Sequence, residues 1–189
     1  MNKLLYALSI VSVMALFSCK NESKEEKAVT KTENSVIVSQ LNAIEDSCGK
    51  AWTMMMDSDD QKIKDIQRLV QELSYIPGHD EHKVDELTKE AKALTSVRYK
   101  QETLTSDNID AYDKATDDLL KAVFDLKRNT KGVEQYVLTE ELEASIREAD
   151  GKVVNYRVLY DTWAKQYNEK LAANEGLQSA FKKKNSFQY

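Results

Sequence analysis

The chain has 189 residues with only 5 Gly and 1 Pro; 31% are charged and 41% apolar, and acidic side chains outnumber basic ones 32 to 27. So few turn formers exclude turn-rich β-sandwiches and barrels, and isolated glycines leave no place for a Gly-rich phosphate loop or a dinucleotide fingerprint. The net charge of −5 gives no general electrostatic footprint for nucleic acid, so no nucleic-acid partner is expected.

Residues 1–18 read as a targeting segment. Lys3 supplies a positive start, and Leu4 to Ser18 is an uncharged, largely apolar run. A bilayer-spanning helix needs about 20 apolar residues. This shorter run suits the apolar region of a signal peptide, the alternative being an uncleaved anchor helix. The run ends in Leu16-Phe17-Ser18-Cys19, which resembles the lipobox of bacterial lipoproteins, with Phe17 departing from the usual small residue. The resemblance implies acylation of Cys19 and a membrane contact through an N-terminal lipid, palmitate being a typical chain. Several acyl chains anchor durably where one does not.

Residues 19–34 are rich in Lys, Glu, Thr, Ser and Asn. That composition buries too little surface to offset ordering entropy, so a flexible tether is expected. Residues 35–180 form the folded part, and residues 181–189 a tail that frays or docks.

Within the folded part the spacing predicts helices throughout. Ile37, Leu41, Ile44, Cys48, Ala51 and Met55 recur in steps of three and four, one helical face. The pattern meets Asp57-Ser58-Asp59-Asp60 and resumes at Ile63. This is either a new start with Ser58 as cap or a solvated face where one long helix slips register. Pro77-Gly78 closes the segment. A second helix shows Val84, Leu87, Ala91, Leu94 and Val97, with Asp80 near its start. A third follows the capping cluster Thr105-Ser106-Asp107 and ends near Gly132. The fourth runs from Thr139 to about Ala173 through Leu142, Ile146, Val153, Tyr156, Tyr160, Trp163, Tyr167 and Leu171. Short connections make such helices antiparallel neighbours. The expected fold is all-α, an elongated antiparallel up-down bundle of three to four long helices. Its buried Tyr hydroxyls need partners, expected at the bundle edge or on carboxylates such as Asp150. Cys48, among apolar neighbours at helical spacing, reads as a buried structural thiol.

Along the fourth helix, Asp150, Val153, Arg157, Tyr160, Asp161, Tyr167 and Asn168 make a string that resembles the closing helix of the LemA family. There an acidic residue, Ile, Arg, Tyr-Asn and a second Tyr-Asn follow the same frame. Glu140-Glu141-Leu142-Glu143 resembles the stretch before it, with looser similarity at Ala51-Trp52 and His79-Asp80-Glu81-His82. The family's Arg-Arg segment with Leu-Ile-Pro-Asn-Leu is absent, Lys64 to Val70 standing there, and Ala172-Ala173 replaces its Phe-Pro. The resemblance implies a helical bundle held at a membrane by its N-terminus, and no reaction. The same residues at helical spacing also read as a purely structural seam, Arg157 pairing with Asp150 or Asp161.

No nucleophile-elbow context or cofactor motif is present, so no catalytic residue and no cofactor are assigned. The chain is expected to be a non-enzymatic, lipid-anchored protein of the bacterial cell envelope, an interaction or scaffold module with an envelope protein as partner. The alternative is a metal- or small-ligand-binding lipoprotein using His79 and His82, the only histidines, which have ligand chemistry but lack identifiable further ligands. Met54 to Met56 could fill the core or form an adaptable partner surface, and Lys182 to Lys184 could meet anionic lipid.

Overall fold

The computed structural model describes residues 22–187, with side chains from residue 33 onward. The proposed signal segment and Cys19 lie outside the described residues. The described chain is all-α: α1 (Glu22–Ser74), α2 (Glu81–Val97), α3 (Ser106–Asn129) and α4 (Val137–Ala172), joined by short 3₁₀ turns at Gln101–Thr103 and Val133–Gln135 and followed by a third at Glu175–Leu177. None of the described helices is long and apolar enough to cross a membrane.

The chain divides into two units, Met1–Gln40 and Leu41–Tyr189. In the first, the described residues are helical from Glu22 onward. The tether expected over residues 19–34 overlaps α1 from Glu22 onward. The Lys and Glu residues of this stretch are good helix formers, and lack of apolar surface for a core does not by itself forbid a helix.

In the second unit α1 passes through Asp57–Asp60 without a break. Its buried seam runs Cys48, Ala51, Met55, Asp59, Lys62, Ile66, Leu69 and Leu73, continued by Ile76 in the turn beyond its end. The steps stay at three and four throughout. The apparent slip in the sequence arises because two core positions are taken by an acid and a base. Each is satisfied inside: the Lys62 ammonium lies 3.4 Å from Asp59 and 3.1 Å from Asp150. Of the Met triple, Met55 is buried, Met56 packs against the core and Met54 is exposed, as one helical face allows.

The turn after α1 uses Gly78 at φ +80, a left-handed conformation that costs a side chain dearly. Asp80 then caps α2, its carboxylate accepting from the Lys83 amide at 3.0 Å. Val84, Leu87, Ala91 and Leu94 face the core, while Val97, expected on the same face, is half exposed at the fraying end. Thr105 caps α3 by accepting from the Asn108 amide, and Ile109, Tyr112, Thr116, Leu119, Val123 and Leu126 are buried as spaced. Gly132, at φ +81, turns the chain toward α4.

Cross-helix bonds fix the directions. Gln67 reaches the Ala91 carbonyl, while Asp59, further back along α1, meets Arg98, further on past α2. Lys62 meets Asp150 and Asp65 meets Ser145. Arg157 meets Asp113 and Lys127 meets Glu143. In each pair one number rises as the other falls. So α1 runs antiparallel to α2 and α4, and α3 antiparallel to α4, which is up-down order.

After α4 the chain turns back. Residues 182–187 have no regular secondary structure, yet Phe187 is buried. The tail docks, one of its two expected outcomes.

Candidate functional site

Most of the α4 string faces structure rather than solvent. Asp150 accepts from Lys62, so its partner is an ammonium and not the Tyr hydroxyl expected for it. Val153 is half-buried. Arg157 is buried, and its Nη1 and Nη2 donate to the two Asp113 carboxylate oxygens at 2.7 and 2.5 Å. Its Nε and Nη2 also donate to the Tyr99 hydroxyl at 3.3 and 3.1 Å. The expected pairing along its own helix is thus replaced by a fork that clamps α3 and the α2–α3 connection. Arg157 lies on the buried face, and Asp113 faces it from α3.

Tyr160 is fully buried with its hydroxyl satisfied twice, donating to the Asn185 carbonyl at 3.0 Å and accepting from Gln101 at 2.9 Å. Burial pushes its pKa up, opposed by the Gln101 bond. Asp161 accepts from the Phe187 amide at 2.8 Å. Tyr167 is buried under the Lys184 ammonium, which sits 5.1 Å from its ring centre. Asn168 donates to the Lys184 carbonyl and accepts from the Lys184 amide, both at 2.8 Å. A side-chain amide thereby replaces a strand neighbour. Tyr160, Asp161, Tyr167 and Asn168 all hold the C-terminal tail.

The tail ends in an aromatic cluster. Phe187 stacks on Trp52 at 6.3 Å and meets Tyr99 and Tyr160 edge-on at 5.5 and 5.8 Å, with the Arg157 guanidinium 5.1 Å from its ring centre. Trp52 and Tyr160 also contact each other at 5.4 Å. Burial raises the Tyr99 pKa against the pull of Arg157. The sequence marks Trp52 only through a loose resemblance and assigns no role to Phe187 or Tyr99. A signal existed for Phe187, a large apolar residue in a polar tail where no helix phase explains it.

Beside this cluster lies a buried polar network. The Tyr112 hydroxyl donates to Asp59 at 2.5 Å, and Arg98 donates to Asp59 and Asp60 at 2.9 and 2.6 Å. Desolvation and the adjacent Asp59 charge push the Tyr112 hydroxyl far above its ordinary range. For Arg98 desolvation opposes the charge, but the two carboxylate bonds outweigh it and the pKa is raised. Every buried side-chain nitrogen and oxygen among the described residues has a partner.

The histidines are placed elsewhere. His79 Nδ1 lies 2.8 Å from the Ile76 carbonyl. The residue lines a depression of about 440 Å³ with Asp80, Lys83, Asp125, Asn129 and Thr130. His82 is exposed on the first turn of α2 and is not among those lining residues. Among the described residues no group of three or more His, Cys, Asp or Glu side chains is arranged to hold a metal ion. Cys48 is buried, and desolvation raises its thiol pKa, partly countered by Lys184. That is the environment of an unreactive thiol.

No family model, curated protein or solved structure matches the chain.

Proposed function

We propose that the chain is a non-enzymatic interaction or scaffold module of the bacterial envelope, anchored by a lipid on Cys19 and similar to the LemA type. One observation carries the reading. The polar side chains that make up the α4 string are spent on holding helices and tail, and the buried ones among the described residues are all satisfied within the fold. Catalytic groups are instead held in strained or perturbed states facing a cleft. The lipobox-like Leu16 to Cys19 supports the anchor, and the helical fold suits the resemblance of the α4 string.

The test uses the full chain beside Cys19→Ala in a bacterial host. Fed radiolabelled palmitate should enter the first and not the second. Crosslinking in membranes should capture one envelope protein with the anchored form alone. Equal label in both forms ends the anchor reading, and capture of nothing by either ends the scaffold reading. The Nδ1 bond to the Ile76 carbonyl leaves His79 Nε2 available as a ligand atom, so the metal-binding alternative is tested by calorimetry with Zn²⁺ on the full chain beside a His79→Ala/His82→Ala variant, where heat that is absent, or unchanged in the variant, ends it.

A further inference from the structure

We infer that the groove under the C-terminal tail is a peptide-binding site, occupied in cis by residues 184–187, whose partner is an extended protein segment with a basic residue followed three positions later by an aromatic one. This deepens the interaction-module reading and rests on it, while needing neither the anchor nor a membrane.

The tail is held as a bound peptide is held. It has no regular secondary structure, and the contacts described here run to bundle side chains or to the carbonyls of the α2–α3 connection. Asn168 brackets the Lys184 backbone with two bonds. The Tyr160 hydroxyl donates to the Asn185 carbonyl. The Asn185 side chain donates to the Gln101 and Glu102 carbonyls, and Asp161 takes the Phe187 amide. Main-chain bonds of this kind give affinity without regard to sequence, and pockets for alternate side chains add the specificity. Two pockets do so here. Glu45 pairs with the Lys184 ammonium above the Tyr167 ring, which selects a cation. Trp52, Tyr99 and Tyr160 enclose the Phe187 ring, which selects an aromatic.

The groove is also built without the tail. Tyr99 is fixed by Arg157 and stacked edge-on with Tyr112 at 5.4 Å. Tyr160 is fixed by Gln101 and packed on Trp52. A cage whose walls are held by other contacts stays open when its guest leaves, and preorganisation of that kind lowers the cost of taking another. The connection is tied to the end of α4 by the 3₁₀ turn at Glu175–Leu177 and by Asn174 and Gln178, so the part that can leave is the segment after Phe181, where Lys182 and Lys183 are exposed. Two depressions adjoin the groove. One of about 770 Å³ is bordered by Glu45, Gln101 and Lys184, and one of about 300 Å³ by Trp52, Tyr99 and Gln101. A vacated cage would add an exposed aromatic patch between such openings, the mark of a partner site.

A tail on a short connection competes at millimolar effective concentration. Weakening it should therefore reveal the site. A fluorescent peptide of residues 181–189 is titrated against the full chain and against the full-length Phe187→Ala variant, both in detergent. The variant should bind the peptide at least tenfold tighter than the unmodified chain. Peptides carrying Phe187→Ala or Lys184→Glu should each lose at least tenfold. No saturable binding to the variant, or equal binding of all three peptides, overturns the proposal. Should Phe187→Ala fail to fold, amide exchange on the unmodified chain decides. The Phe187 amide should exchange at least tenfold faster than those of Ile146 and Leu142, whereas equal protection would make the tail an integral part of the core and overturn it. Native mass spectrometry covers the other source of such a segment. Dimers of the unmodified chain that vanish in Phe187→Ala would assign the groove to a second copy's tail and overturn its assignment to another protein. Failure of the peptide test leaves membrane capture through α1–α4 unaffected, so the two readings fail separately.

Discussion

The Arg157 guanidinium closes two near-parallel hydrogen bonds on the Asp113 carboxylate, at 2.7 and 2.5 Å, and so ties α4 to α3 through a fork that no ammonium can reproduce. The same group holds the Tyr99 hydroxyl. Arg157→Lys keeps the charge but loses the fork, and should cost about 1.5–3 kcal/mol, the range for hydrogen bonds to charged groups. Arg157→Ala should cost more, because Asp113 and Tyr99 both lose their partner. Urea denaturation of the two variants checks this; equal stability of Arg157→Lys and the parent would show the fork to be idle.

Asp59 and Asp60 are adjacent, and only one of them is buried. The Asp59 carboxylate is 6% exposed and faces Lys62, Arg98 and Tyr112, while that of Asp60 is 46% exposed and meets Arg98 alone. Removing one member of a buried charged pair typically costs about 3–5 kcal/mol, an exposed one under about 1 kcal/mol. Asp59→Ala should therefore unfold at much lower denaturant than Asp60→Ala. A reversed order would mean that the central network contributes nothing to the fold.

Two glycines should respond with opposite signs. Gly132 sits at φ +81, where an L side chain costs about 1–2 kcal/mol, so Gly132→Ala should lower the melting temperature. Gly151 lies inside α4 with nothing within 4 Å of an added Cβ. There Gly151→Ala should raise stability by about 0.5–1 kcal/mol through helix propensity and a less free unfolded chain. Calorimetry of both variants suffices.

Lys127 and Glu143 predict the pH dependence. Burial works against the Glu143 charge, but bonds from Lys127 and Arg147 prevail and hold its pKa below the ordinary 4.5. A depressed carboxyl contributes stability that is present above pH 4.5 and is lost as pH falls through its native pKa. Lys127 is raised above 10.5, again against desolvation, by Glu140 and Glu143. Its contribution is present below 10.5 and is lost as pH rises through the native pKa. Glu143→Gln should flatten the acid limb of the stability profile and reduce the alkaline one. An unchanged acid limb would remove Glu143 from the account.

Periodicity made the helices legible. Asp80 and Thr105 could be read as caps because their chemistry is local, and the α3 face could be read because each buried residue there repeats at helical spacing. What stayed hidden was the identity of partners. Spacing says that Arg157 lies on an inward face, but not that Asp113 on another helix awaits it. It also ranks charged residues as outside, so Asp59 and Lys62, which occupy two inward positions of α1, read as an interruption. Their burial is tolerable only because Arg98, Tyr112 and Asp150 arrive from three other segments, and that convergence is a property of the assembled chain. The α4 string was visible as a pattern. Its use, the capture of a returning tail, was not, because the tail carries no periodicity of its own.

Cys48 gives this arrangement a clock. Its thiol is 1% exposed, and Lys184, whose backbone is bracketed by Asn168, is close enough to pull on its ionisation. A thiol reagent can reach it only when the end of the bundle opens. In a chain whose other cysteine is occupied by lipid or replaced by serine, the labelling rate counts those openings directly. The protein thus carries a built-in reporter of whatever opening uncovers the inner face of α1 at this thiol.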